Sequence, residues 1–217
     1  MTLARRAAAE ALGTGLLLAV IVGSGIMGER LADGNGAIAL LANSLATGAG
    51  LVALILALGP VSGAHFNPLV SAIEFASGNL PRRAALAYVA AQFAGAVAGV
   101  MAANLMFELP VVFPSQHVRT GAAQLFSEAV ATFGLIAVIL HCAQSRPEAV
   151  PYAVGAYITA AYWFTSSTSF ANPAVTVART LSDTFAGIRP ADAPGFIIAQ
   201  VAGGTLAALY FRWTTHR

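Results

Sequence analysis

The sequence predicts an all-α membrane protein: six transmembrane helices and two re-entrant half-helices, related by an inverted repeat. Three observations lead there. Of 217 residues, 58% are hydrophobic and only 9% charged, whereas a soluble domain carries about 25% charge. Most of the outer surface must therefore face lipid, and a mean hydropathy of +0.75 agrees. Secondly, six nearly uncharged runs approach the length of about 20 residues that a span needs. Thirdly, two shorter apolar pieces each open with Asn-Pro at corresponding places in a sequence that repeats itself.

The six runs are 7–27, 37–59, 84–107, 121–142, 149–164 and 194–211. The first follows Arg5 and Arg6, an arrangement also found in secretory leaders. Glu10 interrupts the run, however, and the repeat makes this segment the partner of a later one. The fifth run is short, and Thr165 to Ser169, polar but uncharged, either continues it or opens a loop. The pieces at about 65–77 and 172–182 are too short to cross and read as half-helices.

Charge fixes an expected orientation. With both termini on one face, that face holds Arg5, Arg6, Arg82, Arg83, Arg146, Arg212 and Arg217, and the other holds Arg30, Arg119, Arg179 and Arg189. The positive-inside rule then makes the termini cytoplasmic. Eleven basic residues, all Arg, against nine acidic ones give a net charge of +2, too even a balance for a nucleic-acid binder. The single cysteine, Cys142, permits no internal disulfide and no Cys cluster for a metal. Ser/His/Asp clusters, His-Glu-x-x-His and phosphate loops are all missing, so the sequence points to no enzyme, metal site or cofactor.

The repeat is the most informative feature. Glu10-Ala11-Leu12-Gly13-Thr14 answers Glu128-Ala129-Val130-Ala131-Thr132, and His65-Phe66-Asn67-Pro68-Leu69 answers Phe170-Ala171-Asn172-Pro173-Ala174. Ala91-Gln92-Phe93-Ala94-Gly95 answers Ala199-Gln200-Val201-Ala202-Gly203. The repeats, about 7–107 and 121–212, lie in one transmembrane domain spanning 1–217. Each holds three spans, an odd number, so the second copy enters from the opposite face. Asn is a strong N-cap and Pro is favoured at the first helical position. Both half-helices therefore start deep in the membrane, where irregular backbone is tolerated only beside protein or a wet cavity. Their positive dipole ends and the Asn67 and Asn172 amides would face one lumen.

Glu10 and Glu128 read either as proton carriers, as membrane carboxylates often are, or as acceptors for the backbone N–H groups of the re-entrant loops. The recurring Glu-x-x-x-Thr favours the second. His65 lines the lumen or acts as a pH-sensitive gate. Gln92 and Gln200 read as loop-anchoring or inter-helix amides beside Gly95 and Gly203, where helices pack closely.

These motifs, Ser62-Gly63-Ala64-His65-Phe66-Asn67-Pro68-Leu69 and Ser169-Phe170-Ala171-Asn172-Pro173-Ala174 with the paired Glu-x-x-x-Thr elements, resemble the aquaporin or major-intrinsic-protein family over nearly the whole chain. Leu69 departs from the usual Asn-Pro-Ala, a change expected to alter packing more than chemistry. The resemblance implies a homotetramer in the inner (plasma) membrane, each subunit with its own pore for water and small uncharged solutes. It also implies a selectivity filter at four positions: Thr47, Ser169, Val175 and a residue of the fifth span. Counting along the helix from Gly155 gives Tyr162, and counting back from Asn172 gives Ala160; helix register favours Tyr162.

Val175 stands where water-selective members carry Arg, and Thr47 where bacterial ones carry an aromatic. The constriction should be wider and lack a cation at that position. Val175 with Phe170-Ala171 is similar to the aquaglyceroporins associated with bacterial arsenic resistance, whose substrate is neutral trivalent arsenite. The leading expectation is a passive channel for arsenite, antimonite or glycerol with some water. The alternatives are a mainly water-conducting aquaporin and, from another class, a coupled secondary transporter. Arg179, one turn beyond Val175, either places its charge in the outer vestibule or bonds loop carbonyls.

Overall fold

A computed structural model describes residues 1–215, so Arg217 of the orientation argument lies outside the described residues. The helices are α1 (Leu3–Leu31), α2 (Gly36–Ser62), α3 (Pro68–Ala76), α4 (Arg82–Met106), α5 (Ala122–Ser145), α6 (Val150–Phe164), α7 (Pro173–Arg179) and α8 (Ala193–Thr215). Five of them, α1, α2, α4, α5 and α8, are long and apolar enough to cross a membrane. The other long segment, α6, has 15 residues and is preceded by a 3-10 turn at Pro147–Ala149.

Termini differ from the expected runs in ways the local chemistry explains. The first helix takes in Arg5 and Arg6 because Thr2 caps it, its hydroxyl accepting from the Arg5 N–H at 3.4 Å. Thr165 to Ser169 do not extend α6. The Thr165 hydroxyl donates to the Ala161 carbonyl at 2.7 Å, and Thr165 itself is extended. The half-helices are shorter than the apolar pieces, since Asn67 and Asn172 are caps and the helix begins only at the following Pro. Beyond Arg179 the chain turns, and Phe113 and Ser182 form a short parallel bridge. This bridge ties the loop before α5 to the loop after α7.

The two halves pack alike. In the first, α1 lies against α4 and α2; in the second, α5 lies against α8, and α2 meets α6 across the halves. The α1 segment is core, with Leu18 and Val22 fully buried. At the crossing of α1 and α4, a Cβ on Gly95 would overlap the Ala11 carbonyl oxygen, and at the crossing of α5 and α8 one on Gly203 would overlap that of Ala129. A carbonyl cannot rotate aside as a side chain can. Gly203→Leu should therefore destabilise by more than about 3 kcal/mol, read as loss of monodisperse protein on size exclusion in detergent. A wild-type elution profile and thermal midpoint would refute the close-packing role.

Just before α8, Asp192 accepts from the Arg189 guanidinium at 2.8 Å and from the Arg119 N–H at 2.9 Å. The hydrogen bond from Arg189 is the main reason its carboxyl titrates below the ordinary 3.8, with the Arg119 N–H adding to it. A depressed carboxyl contributes stability that is present above the unfolded value and is lost as pH falls through the folded one. Thermal stability measured against pH should accordingly fall below pH 3.8. Asp192→Asn should flatten that acid limb; an identical limb in the variant would exclude Asp192 as its source.

Candidate functional site

The site is built by two loops that enter the protein from opposite ends and meet at the starts of α3 and α7. Both loops adopt backbone that L-residues resist. Ala64 and Phe66 in one, and Ser169 and Ala171 in the other, have φ between 48° and 53°, at a cost of about 1 kcal/mol each. Left-handed residues at alternate positions turn successive N–H groups to one side, forming an anion nest. Each nest holds a carboxylate from the neighbouring long helix.

In the first loop, Glu10 accepts from the Ser62 hydroxyl (2.6 Å), the N–H groups of His65 (3.0 Å) and Phe66 (2.7 Å), and Gln92 Nε2 (2.8 Å). In the second, Glu128 accepts from the N–H groups of Phe170 (2.8 Å) and Ala171 (3.0 Å) and from Gln200 Nε2 (2.7 Å). Gln92 also donates to the Ser71 hydroxyl at 3.0 Å, and Gln200 to that of Thr176 at 2.8 Å. The amides thus link each carboxylate to the half-helix. Both carboxylates and both amides are fully buried.

The loops are also joined to each other. Asn67 Nδ2 donates to the Ala171 carbonyl at 2.9 Å, and Asn172 Nδ2 donates to the Phe66 carbonyl at 2.8 Å. Each Asn Oδ1 caps its own half-helix, from the Leu69 N–H at 3.0 Å in one case and the Ala174 N–H at 2.9 Å in the other. An amide nitrogen carries two hydrogens. One is used in the cross-loop bond, and both Asn residues line the cavity that the second can reach. Leu69 points away from that cavity's chemistry: a Cβ on Gly204 would lie 2.6 Å from its Cδ2, so the larger side chain fits where α8 has only glycine.

A cavity of about 570 Å³ runs past both Asn residues. At one end it is lined by His65, Glu74 and Glu148, in the middle by Leu17, Leu51 and Ile158, and at the other end by Thr47, Tyr162, Ser169, Val175 and Arg179. His65 Nδ1 lies 3.0 Å from the Ser71 hydroxyl, and its ring meets Tyr88 edge-on. The Thr47 and Tyr162 hydroxyls are 3.2 Å apart and bonded to each other. Ala160 is exposed on the outside of α6 and lines no part of the cavity. The Ser169 hydroxyl has no hydrogen-bond partner among the described residues.

Arg179 makes the loop-carbonyl bond of one sequence reading, Nε donating to the Ala186 carbonyl, and its side chain lines the cavity. Its guanidinium carbon lies 3.4 Å from the centre of the Phe170 ring.

Arg119 was not distinguishable in the sequence from any surface arginine. It is only 7% exposed, donating to the carbonyls of Gly187 (2.8 Å), Ser167 (3.2 Å) and Phe185 (3.4 Å), with its guanidinium 5.0 Å from the Phe170 ring centre. It clamps the loop before α7 to the loop after it. A further bond runs to the Thr168 hydroxyl at 3.4 Å. No local pattern announces this, because every acceptor is distant in sequence and three of them are backbone carbonyls.

Known proteins share this architecture. The Major intrinsic protein family pattern matches residues 1–161. The chain is 59% identical over 211 residues to the aquaglyceroporin AqpS of Rhizobium meliloti (strain 1021), covering 97% of this chain and 90% of that protein. It is 30% identical over 243 residues to the probable aquaporin AqpM of Archaeoglobus fulgidus, covering 98% of each. The aquaglyceroporin structure from Plasmodium falciparum superposes with a TM-score of 0.76 over 99% of this chain and 97% of that one; at 19% identity it speaks to the fold. Paired Asn caps, opposed half-helices and a continuous lined cavity agree with those matches, and the chain belongs to the major intrinsic protein family, membrane channels for water and small solutes.

Proposed function

We propose that this protein is a passive channel for neutral solutes larger than water, trivalent metalloid hydroxides (arsenite, antimonite) and glycerol among them, with some accompanying water flux. The observation that carries the reading is the composition of the cavity wall, where the Val175 isopropyl group lines the same cavity as Thr47, Tyr162 and Ser169; we take these four residues as its outer constriction. One apolar wall and several hydroxyls suit a compact polyol or trihydroxide, which offers carbon or a bare metalloid face on one side and O–H groups on the other. The unpartnered Ser169 hydroxyl is a donor and acceptor that a passing solute can satisfy. The relative named an aquaglyceroporin supports the same substrate class.

The four filter residues, Asn67 and Asn172 at the centre and His65 at the inner mouth act on the solute in this reading. Glu10, Glu128, Gln92 and Gln200 hold the loops. The working unit is a homotetramer in the inner (plasma) membrane with both termini cytoplasmic, and each subunit conducts through its own cavity. Proton coupling through the deep carboxylates would need one of them free to change protonation. Glu10 and Glu128, the deep candidates, are committed to four and three donors respectively.

Arsenite uptake into proteoliposomes tests passivity and substrate together. Internal arsenite should rise to the external concentration and stop there, whether or not a proton ionophore is present. Accumulation above it, or collapse of uptake with the ionophore, would mean coupling. No uptake above protein-free vesicles, with water flux intact, would leave the mainly water-conducting alternative, which the Thr47–Tyr162 contact across one wall of the constriction favours.

A further inference from the structure

We infer that Arg179 supplies the fixed positive charge of the outer constriction, so that this pore combines a widened filter with exclusion of cations. The inference rests on the cavity being the solute path. Val175 leaves its own position uncharged, but the next turn of α7 on the same face carries a guanidinium that lines the same cavity and is only 2% exposed.

Three observations separate this arginine from a structural brace. Its one hydrogen bond to a described residue is from Nε to the Ala186 carbonyl. The Nη1 and Nη2 groups, four N–H donors in all, are left without protein acceptors on a side chain that lines the cavity. Its charge is also not neutralised by a paired carboxylate: among the described residues the salt bridge found is Arg189–Asp192. Glu128 bonds the Phe170 N–H, but its oxygens are held by that loop and Gln200.

A buried charge without a partner is costly unless something solvates it. Here the Phe170 ring face does part of this, with the guanidinium carbon 3.4 Å from its centre, and the remainder falls to water or solute oxygen in the lumen. Phe170 is itself fixed through its N–H on Glu128 and edge-on packing against Phe196. The same ring faces Arg119, whose guanidinium is committed to loop carbonyls. Of the two, Arg179 is the cation with donors to offer. A solute with an oxygen acceptor is held as it passes, while a proton or other cation meets a like charge in a narrow, weakly screened space.

The test measures proton flux and water flux in the same proteoliposomes. Protons are driven by a valinomycin-clamped potassium potential and followed with an internal pH dye; water is followed by light scattering after a sucrose shock. Arg179→Met should raise proton flux relative to water flux about tenfold, and Arg179→Lys should stay near wild type because it keeps a charge. Val175→Arg combined with Arg179→Met should return proton flux toward wild type by restoring a cation one turn away. Should Arg179→Met yield no folded protein, Arg179→Gln replaces it, removing the charge while keeping a donor for the Ala186 carbonyl. Water-conducting Met or Gln variants that exclude protons as well as wild type does would overturn the inference. The reference is water rather than glycerol, so a wild type that passes no glycerol would sink the substrate reading and leave this comparison standing.

Discussion

Val175→Arg should reduce glycerol and arsenite flux at least about tenfold, a barrier increase of about 1.4 kcal/mol, while water flux persists. Val175 is buried at the cavity wall, and Thr47 and Tyr162, which line the same cavity, are tied to each other rather than free to retreat. A guanidinium entering there takes up room that a three-carbon solute or a pyramidal trihydroxide needs, whereas single-file water can pass beside it and accept its N–H groups. Arg179 already occupies the next turn, so the new charge also raises the local potential. Val175→Leu separates the two effects, since it adds bulk without charge and should give a smaller reduction. Stopped-flow light scattering measures water and glycerol in one preparation, with arsenite uptake followed separately. Unchanged glycerol and arsenite permeability in a folded Val175→Arg protein would place the constriction elsewhere and remove Thr47, Tyr162 and Ser169 from the filter with it.

Glu128→Gln is expected to cost the fold more than the flux. The carboxylate receives two adjacent backbone N–H groups and an amide, and charge-assisted bonds of this kind are worth about 1.5–3 kcal/mol each. Glutamine substitutes an NH₂ for one oxygen, so a donor then confronts a donor inside a fully buried nest, and the left-handed Ser169 and Ala171 lose what holds them. The expected result is a loss of folded protein, with activity falling in proportion to yield. Glu10→Gln should behave the same way, because Glu10 makes the equivalent bonds to His65 and Phe66. Full yield with a shifted pH dependence of transport would instead identify these groups as proton carriers.

How much of this was legible in the sequence depended on whether the signal was local. Asn67-Pro68 and Asn172-Pro173 fix a cap and a first helical residue within two positions, and the half-helices start there. The matched Glu, Gln and Gly of the two repeats were visible because each appears twice. The end of α6 was not, since Thr165 to Ser169 are polar without being charged and hydropathy does not tell a last helical turn from a loop. What decides it is the Thr165 hydroxyl folding back on Ala161.

Arg119 and Arg179 show the same limit at the site. Each was countable as an outer-face arginine, but what each does depends on carbonyls and a ring brought together by long-range folding, including Gly187, Phe185 and Phe170. For Arg179 the sequence offered a carbonyl bond or a place in the vestibule as alternatives. A guanidinium has five donors in a planar fork, and here one binds the loop while the others have no acceptor among the described residues. Leu69 is the converse case: its expected effect on packing has a visible counterpart in Gly204, a residue of a different helix.

The most direct test of the account is the response of wild-type proteoliposomes to a glycerol shock compared with a sucrose shock. Sucrose, too large for the constriction, should cause shrinkage that persists. Glycerol at the same osmolarity should cause shrinkage followed by re-swelling, at a rate well above that of protein-free vesicles. Glycerol traces that match sucrose traces, shrinking without re-swelling, would contradict a solute pore widened at Val175.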